Sequence, residues 1–569
     1  MKIINMLKSI KFKKQLLFLL FIFFITIYMW EVDGKFGFNP SDEARVLGMV
    51  QRLHNGQVPH KDFMYQTFVG SAYLHYFQYF IPNYNLQIQR IIAIIMFQIY
   101  SLLLLSLSSN FKKSNLPVKL SAFVVSVILN MHYFEFFIWP TIDGIFVISI
   151  GAFLIFNSKK YKNIGFLFIG LAPLMKTGFL ISSVGVILIE NFFIKKFSIK
   201  YFFRTSLISA IPSFTYLTYI TVSGGFKNLY EETFNQPDNS LELINSWIHH
   251  LGFYEKQLIP ISFLIVLYFF SNSKKNIFFF TNPIIKILVF FLIIFSMNFN
   301  NLNYKPIINL LNLFFVFFLL LKFKRKNSKT ELIPFFVCYV IEVGAIMSIG
   351  WRWGLFVSGT VLVLILYFIL EQMNFENWKI NYSIYLLSFT IFINPMINLM
   401  SLRSNNTFLD RPKSELIYNL IELDKRFGNI YTSENVYEYI KSIQYCIDKY
   451  ETSKISIFPD NPVLYFILNL DNPIPLDWHT MGVEGKVDYD DIRIKRKMLE
   501  NEYKNSVIFL QSYKVSRLKN LSLDEVLTVN QFPYPELLQD EYRVIYNYLK
   551  SRNNTEIEYC KSFTVLINN

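Results

Sequence analysis

The chain has 569 residues, of which 53% are hydrophobic, 18% are aromatic and only 17% are charged. Ordinary soluble domains carry about 25% charged residues. This composition excludes a single soluble core and a disordered chain, and it predicts an α-helical polytopic membrane protein.

The net charge of +14 is unevenly distributed along the chain. Residues 1–400 hold 34 Lys and Arg against 17 Asp and Glu, whereas residues 401–569 hold 21 against 24. Cytoplasmic loops of membrane proteins carry such a basic excess. The charge of residues 1–400 therefore fits a membrane module and gives no indication of nucleic acid binding.

Thirteen apolar segments are long enough to cross a bilayer, some only with support from neighbouring helices. They lie near residues 15–30, 88–108, 117–138, 141–157, 162–175, 177–194, 203–222, 257–271, 283–298, 305–322, 331–350, 354–371 and 381–400. The cluster of Lys8, Lys11, Lys13 and Lys14 directly before the first segment places the N-terminus in the cytoplasm. The first segment has no small-residue cleavage site, which predicts an uncleaved anchor. Later basic clusters fall in alternate loops, so thirteen crossings place residues 401–569 outside.

Two extracytoplasmic parts follow from this topology, a loop at 31–87 and a C-terminal domain at 401–569. Strand-like and helical runs alternate in the C-terminal domain, which is typical of a compact α/β fold. The predicted strands are Asn429–Thr432, Lys454–Phe458, Ser506–Gln511, Glu556–Cys560 and Phe563–Ile567. The predicted helices lie near 434–449, 489–504 and 535–549.

The three cysteines are too few and too scattered for a disulfide framework or a zinc site. They are Cys338, Cys446 and Cys560. The last two either pair, if the C-terminal domain lies outside the cytoplasm, or remain as buried thiols.

The outer loop contains two adjacent carboxylates in a helix-start pattern. Ser41 predicts an N-cap, and Asp42 and Glu43 then fall in the first turn, where the helix dipole favours negative charge. This helix would lie along the membrane surface and end at Gly56. Its apolar face consists of Val46, Leu47, Val50 and Leu53. The carboxylates either only start the helix or lie at the mouth of a cavity beyond the first span.

With the sequence that follows it, the Asp42-Glu43 pair resembles the GT-C glycosyltransferases, notably the protein mannosyltransferases and the aminoarabinose transferase of lipid A. The loop continues with a Leu-x-x-Gly-x-x-Pro-His-Lys-Asp-Phe run at residues 53–63. Other matching places are Arg90, Gly170–Lys176, Arg352 within Gly350–Trp353, Ile455–Phe458 and Asn461–Phe466. The chain departs from the family pattern at His60, where tyrosine is usual, and near Gly70, which lacks the usual proline pair.

The resemblance implies inverting transfer of a sugar from a polyprenyl-phosphate donor to an acceptor at the outer face. A carboxylate acts as general base toward the acceptor hydroxyl, and cations stabilise the departing phosphate. We assign Asp42 as the base and Glu43 as its support or as the alternative base. Lys61, Lys176 and Arg352 are candidates for binding the donor phosphate. Lys176 and Arg352 have an alternative role, because cations at span ends also reach into lipid headgroups.

Three further residues are assigned to substrate binding, namely His60, Asp62 and Asp143. Asp62 either binds the acceptor sugar or caps the next helix. Asp143 is the second outer acid that the resemblance implies, or it caps the hairpin of the third and fourth spans. Glu342 is the one carboxylate deep in a predicted span, where an ionisable group indicates function.

No cofactor is predicted. His249-His250 and Asp488–Asp491 lack a complete ligand set at usable spacing, so a divalent metal has no support. The chain has no glycine-rich phosphate loop, which argues against a nucleotide sugar. The expected partners are a polyprenyl-phosphate-linked sugar, the lipid bilayer of the cell membrane, and a glycolipid, polysaccharide or protein acceptor. The Lys/Asn/Ile-rich composition hints at undecaprenyl phosphate as the carrier.

Two other functions compete with this interpretation. A transporter or flippase for an envelope lipid or glycan would explain the spans and Glu342, but not the first loop or the C-terminal domain. Internal repeats, which are typical of transporters, are not evident. A polysaccharide polymerase or ligase would be expected to carry its large loop in the middle of the chain.

Overall fold

The structure is a computed structural model, and the sequence positions that it describes fall into several separate ranges. They are residues 10–38, 40–41, 43, 45–65, 68–131, 136–194, 197–234, 329–349, 357, 359–361, 363–364, 367, 407, 410–450, 452–458, 461–475, 477, 506–511, 513, 515–528 and 555–568. The predicted spans at 257–271, 283–298, 305–322 and 381–400 lie outside these residues, and the span at 354–371 is described only in part.

The described part of residues 1–400 is mostly helical. Long apolar segments favour helices in a bilayer because a helix satisfies its backbone hydrogen bonds internally. The helices are α1 (Ile10–Met29), α2 (Arg45–His54), α3 (Gly70–His75), α4 (Leu86–Leu105), α5 (Ser109–Lys113), α6 (Leu116–Met131), α7 (Pro140–Asn157), α8 (Lys162–Met175), α9 (Phe179–Ile189), α10 (Ile199–Val222), α11 (Phe226–Phe234) and α12 (Lys329–Ile349).

Three of the described helical segments are long and apolar enough to cross a membrane, at Leu16–Gly34, Leu86–Leu105 and Pro140–Asn157. Four shorter apolar helices lie at Leu116–Met131, Lys162–Met175, Phe179–Phe192 and Ile333–Met347. All of them coincide with predicted spans. The count of thirteen spans stays a prediction, since only part of the chain is described.

Glycines allow some of these helices to approach closely. A methyl group at Gly170 of α8 would lie 1.7 Å from the carbonyl oxygen of Ser209 in α10. A methyl group at Gly151 of α7 would lie 2.8 Å from the carbonyl oxygen of Gly165 in α8. Small residues at helix contacts are typical of bundles in membranes, where packing provides much of the association energy.

Helix α2, in the loop at 31–87, differs from the predicted helix in its first residue and in the extent of its burial. It begins at Arg45, so Ser41 is not its N-cap and Glu43 precedes its first turn. All seven residues from Val46 to Arg52 are buried. The helix is therefore enclosed by other elements of the protein, and its burial extends beyond the single apolar face that the sequence predicted to the polar residues Gln51 and Arg52. Gly56, just beyond its end, has φ +79°, a backbone conformation that favours glycine.

The C-terminal domain contains the predicted mixture of strands and helices. Its elements are β1 (Tyr418–Asn419), β2 (Tyr431–Thr432), α13 (Glu434–Asp448), β3 (Ile455–Phe458), α14 (Pro462–Ile467), β4 (Ser506–Gln511), α15 (Leu523–Leu527), β5 (Thr555–Cys560) and β6 (Phe563–Asn568). Strands β1 and β2 pair with each other, and the main sheet has the order β3-β4-β6-β5. Strand β3 is parallel to β4, and the other pairs are antiparallel. The predicted helices near 489–504 and 535–549 lie outside the described residues.

A disulfide joins Cys446 of α13 to Cys560 of β5, with their Cα atoms 5.9 Å apart. Of the two alternatives that the sequence left open, the paired state is therefore the one in the structure. Cys338 of α12 is a buried free thiol.

The C-terminal domain packs directly against the first outer loop through residues near β2. The Asp410 carboxylate accepts a hydrogen bond of 3.1 Å from the backbone N–H of Phe38. Tyr431 donates its backbone N–H to Lys35 at 2.7 Å and accepts one from Gly37 at 2.8 Å. These bonds tie the segment after α1 to the domain.

A second connection between the domain and the loop is made by a buried arginine of α2. The Arg52 guanidinium forms a two-pronged ion pair with Asp477, with both N–O distances at 2.7 Å. It also donates to the carbonyl of Ile474 at 2.5 Å. Close by, the backbone N–H of Met64 donates to the carbonyl of Pro475 at 2.7 Å. Residues 38–52, which include the two candidate catalytic carboxylates in the sequence, therefore lie between two points of attachment to the domain.

Candidate active site in the outer loop

Glu43 forms a buried ion pair with Arg90 of α4. The Arg90 Nε and Nη2 atoms each donate to a different carboxylate oxygen of Glu43 at 2.6 Å. The same guanidinium donates to the carbonyls of Gly34 at 2.7 Å and Gly37 at 2.6 Å. Because both side chains are almost fully buried, the pair fixes the chain between α1 and α2 against the N-terminal end of α4.

This pairing gives Glu43 a structural role. Both oxygens of the Glu43 carboxylate accept charge-assisted hydrogen bonds from the guanidinium, which orient the carboxylate toward Arg90. The arrangement supports positioning more than proton transfer for Glu43. Asp42 and Arg352 lie outside the described residues, while Ser41 and Glu43 on either side of Asp42 are buried.

His60 lies in a second buried network, which joins the outer loop to α10 and α11. Its Nδ1 atom lies 2.5 Å from a carboxylate oxygen of Glu232, and its Nε2 atom lies 3.0 Å from the Tyr216 hydroxyl. The Asn228 amide donates to the His60 carbonyl at 2.6 Å. His60 has φ +62°, which is strained for a residue with a side chain, and these bonds hold it in that conformation. They favour an architectural role over substrate contact.

The two residues after His60 differ in their surroundings. The side chain of Lys61 is exposed and so accessible to an anionic ligand. The carboxylate of Asp62 accepts a hydrogen bond of 2.7 Å from the backbone N–H of Val58, and its own N–H donates back to the Val58 carbonyl at 2.9 Å. Asp62 thus closes the turn at residues 58–62, a contact that corresponds to neither of the two roles that the sequence left open.

Asp143 of α7 forms a buried pair with His75 of α3, a residue that the sequence did not single out. The His75 Nε2 atom lies 2.8 Å from Asp143 Oδ1. On the other side of the ring, the Gln78 amide nitrogen lies 2.6 Å from His75 Nδ1. The Tyr84 hydroxyl binds Gln78 Oε1 in turn. The four side chains form one buried chain of hydrogen bonds that ends on the Asp143 carboxylate.

Lys176 lies close to this chain. Its ammonium is 6.0 Å from the ring centre of Trp139, and the Trp139 carbonyl accepts the backbone N–H of Asp143 at 3.0 Å. A methyl group at Gly70 of α3 would lie 2.5 Å from the carbonyl oxygen of Leu174, so α3 approaches the end of α8 closely. The structure therefore brings Asp143 and Lys176 to one region, at the N-terminal end of α7 and the C-terminal end of α8.

Glu342 has a partner across the bundle. Its Oε2 atom accepts a hydrogen bond of 3.1 Å from the backbone N–H of Val357. The side chain is buried in α12, and this contact links α12 to the partly described segment at 357–367.

Among the described residues, no group of three or more His, Cys, Asp and Glu side chains could hold a metal ion. His249, His250 and Asp488–Asp491 lie outside those residues.

Sequence reasoning missed three buried polar residues of this region, namely Arg52, His75 and Glu232. A polar residue inside an amphipathic helix is a weak signal, since most such residues face solvent. The available hint lay in the 70–80 segment, where His75 and Gln78 are one helical turn apart and face the same side.

No protein-family model, curated protein or solved structure matches this chain. The assignment of a function therefore depends on the geometry of the outer loop and of the residues around it.

Proposed function

We propose that the protein is an inverting glycosyltransferase that moves a sugar from a polyprenyl-phosphate donor to an envelope acceptor at the extracytoplasmic face of the cell membrane. The observation that carries the proposal is the double fixation of residues 34–52. Arg90 holds this segment from the bundle, and Asp410 and Asp477 hold it from the C-terminal domain.

Exposed apolar side chains support the location in a membrane. Helix α10 carries four large apolar side chains along one face, each 50–63% exposed, at Phe203, Leu207, Ile211 and Phe214. Leaving four half-exposed side chains of this size in water costs about 3–6 kcal/mol relative to an apolar environment. Helix α1 has a similar surface that includes Leu19, Phe23 and Phe24. Contact with lipid tails would remove this cost.

The disulfide supports the orientation of the C-terminal domain. Disulfides persist in oxidising compartments and are rare in the cytoplasm. The Cys446–Cys560 bond therefore favours an extracytoplasmic domain. Since the domain packs on the 31–87 loop, the loop belongs on the same side, in agreement with thirteen crossings.

In the proposed reaction, the acceptor hydroxyl attacks the anomeric carbon while the Asp42 carboxylate removes its proton. The bond from the anomeric carbon to the phosphate oxygen breaks, and polyprenyl phosphate leaves with the electron pair. Attack from the side opposite the phosphate inverts the anomeric centre. Lys61, Lys176 and Arg352 supply positive charge for the phosphate.

Precise placement of the base is the contribution of the fold. A reaction can be several orders of magnitude faster when its catalytic base is held in position than when the base is mobile. The Glu43–Arg90 pair and the two attachments to the C-terminal domain restrict the chain on both sides of residue 42. Such restriction would serve no evident purpose in a loop that only connects two spans.

The test is transfer or hydrolysis of radiolabelled undecaprenyl-phosphate hexoses and pentoses by purified protein. We expect Asp42→Asn to abolish turnover and to preserve expression and donor binding. Lys61→Ala and Arg352→Ala should weaken donor binding, whereas Lys227→Ala serves as a control because Lys227 is an exposed lysine of α11. Full activity of the Asp42 variant would exclude it as the base.

Reporter fusions test the topology separately from the chemistry. Fusions after residues 112 and 325 should report a cytoplasmic location, and fusions after residues 240 and 420 an external one. A cytoplasmic signal at residue 420 would contradict both the thirteen spans and an external C-terminal domain.

A further inference from the structure

The buried chain that ends on Asp143 has a definite direction. The Gln78 amide nitrogen can only donate, so His75 Nδ1 must be the acceptor in their 2.6 Å contact. The imidazole proton then lies on Nε2 and is donated to Asp143 Oδ1 at 2.8 Å. The Tyr84 hydroxyl donates to the remaining Gln78 oxygen. Donor faces acceptor at all three contacts with a neutral histidine.

The alternative orientation of the Gln78 amide requires an additional proton. With its oxygen toward His75, Nδ1 would carry a proton, a second proton would lie on either Nε2 or Asp143, and Tyr84 would have to accept. We assign the neutral imidazole protonated at Nε2, because it satisfies each group without this additional proton.

The second oxygen of Asp143 has a different environment. Asp143 is fully buried, and its Oδ2 atom accepts no hydrogen bond from the described residues. A buried carboxylate oxygen without a donor is costly. Trp139 immediately precedes α7, and its ring centre lies 6.0 Å from the Lys176 ammonium at the end of α8. The Oδ2 atom is an acceptor that a hydroxyl group would satisfy, and a sugar carries several such groups.

We propose that His75 is a positioning residue that holds Asp143 Oδ1, so that Oδ2 accepts a hydrogen bond from a hydroxyl group of the carbohydrate substrate. The carbohydrate as ligand rests on the proposed function, whereas the orientation of Asp143 rests on the contacts alone. The step is binding, so the hydroxyl keeps its proton and no covalent bond changes. Donation from Nε2 stabilises the charged carboxylate and fixes its plane.

Two substitutions at position 75 separate this role from simple packing. His75→Gln keeps an N–H group that can reach Asp143, whereas His75→Leu fills the space without a donor. With undecaprenyl-phosphate hexoses and pentoses as probes, we expect His75→Leu to lower kcat/KM by about 10- to 100-fold, as for loss of one hydrogen bond to a charged group. The glutamine variant should recover most of that loss. His54→Leu is the control, since His54 is exposed and stacks on Tyr79.

Two outcomes of this assay would overturn the proposal. Equal activity of the leucine variant and the natural protein would remove any role of His75. Equal impairment of the leucine and glutamine variants would reduce it to packing. Thermal unfolding of each variant in detergent shows whether a loss reflects unfolding.

A measurement without substrate distinguishes failure of this proposal from failure of the proposed function. Nitrogen-15 NMR of protein labelled at histidine, compared with the His75→Gln variant, identifies the His75 signals. We expect a neutral ring protonated at Nε2. An imidazolium or a proton on Nδ1 would refute the arrangement even if the enzyme is active. Absence of transfer by the natural protein, with the expected tautomer present, would refute the glycosyltransferase assignment instead.

Discussion

The ion pair between Glu43 and Arg90 provides the sharpest test of the outer loop. We consider Glu43→Gln, which keeps the size of the side chain and removes its charge. The guanidinium would retain the carbonyls of Gly34 and Gly37 but lose both charged acceptors. Breaking a buried ion pair by neutralising one partner costs about 3–5 kcal/mol of stability. We expect the lower end, about 3 kcal/mol, because Arg90 keeps its hydrogen bonds to the two carbonyls.

Arg90→Met should be at least as destabilising. It leaves the Glu43 carboxylate buried without a cation, and it also removes the donors for two buried carbonyls, at about 1–3 kcal/mol each. The double variant removes both charges together. Its loss of unfolding free energy should therefore be smaller than the sum of the losses in the two single variants. We expect a coupling of about 2–3 kcal/mol from the double-mutant cycle.

The protein carries its own reporter for this assay. Two of its three cysteines form the disulfide, and the third, Cys338, is buried in α12. A dye that becomes fluorescent on reaction with thiols therefore follows unfolding of the bundle through a single site during heating in detergent. The ion-pair argument would be refuted if the stability losses of the two single variants add up to that of the double variant within about 0.5 kcal/mol. A Glu43→Gln variant that loses turnover at full stability would instead identify Glu43 as the base.

Three other predictions concern the packing of the chain. Arg52→Met should destabilise the attachment of the C-terminal domain by about 3 kcal/mol, the lower end of the cost of breaking a buried pair, because Asp477 loses its cation but keeps the hydrogen bond from the Asn472 amide; faster proteolysis between the domain and the loop is the readout, and an unchanged pattern would contradict it. The pKa of Glu558 is lowered by hydrogen bonds from the Lys449 ammonium and the Tyr450 hydroxyl. Ionised Glu558 therefore stabilises the folded protein at pH values above its unfolded pKa, and this stabilisation is lost as the pH falls through its folded pKa. In the Glu558→Gln variant, stability should therefore depend less on pH below about 4.3. The measurement is the melting temperature at a series of pH values, and an unchanged slope of melting temperature against pH would refute the prediction. Gly170→Ala should separate α8 from α10, since its methyl group would lie 1.7 Å from a carbonyl oxygen; a melting temperature within 1 °C or so of the natural protein would show that the helices adjust easily.

Local patterns in the sequence were sufficient for much of the fold. The strand at Ser506–Gln511 has the bounds predicted from its run of apolar residues, and α7 begins within one residue of the predicted span, at Pro140. Proline at the first position of a helix is a strong local signal. The start of α2 was wrong because Ser41 resembles an N-cap, while the structure uses the preceding residues for contacts with distant parts of the chain.

Contacts between distant residues explain what the sequence could not provide. Glu43 and Arg90 are 47 residues apart, and His75 and Asp143 are 68 apart. Neither distance corresponds to a helical or strand repeat, so no periodicity indicates these pairs. The carboxylates could be nominated from the sequence, but their partners depend on how the helices pack. For Asp42 and Arg352 the assignment stays a prediction.

The connection between the first loop and the C-terminal domain has a consequence for biogenesis. The ribosome makes Arg52 early and Asp477 more than 400 residues later, an interval on the order of 20–90 s at usual rates of synthesis. Strand β6, which lies between β4 and β5 in the sheet, is made later still. Until Asp477 has been made, the loop must therefore tolerate a cation that has no counter-charge. Mutations that delay maturation of the last strand would be expected to affect a segment made at the opposite end of the chain.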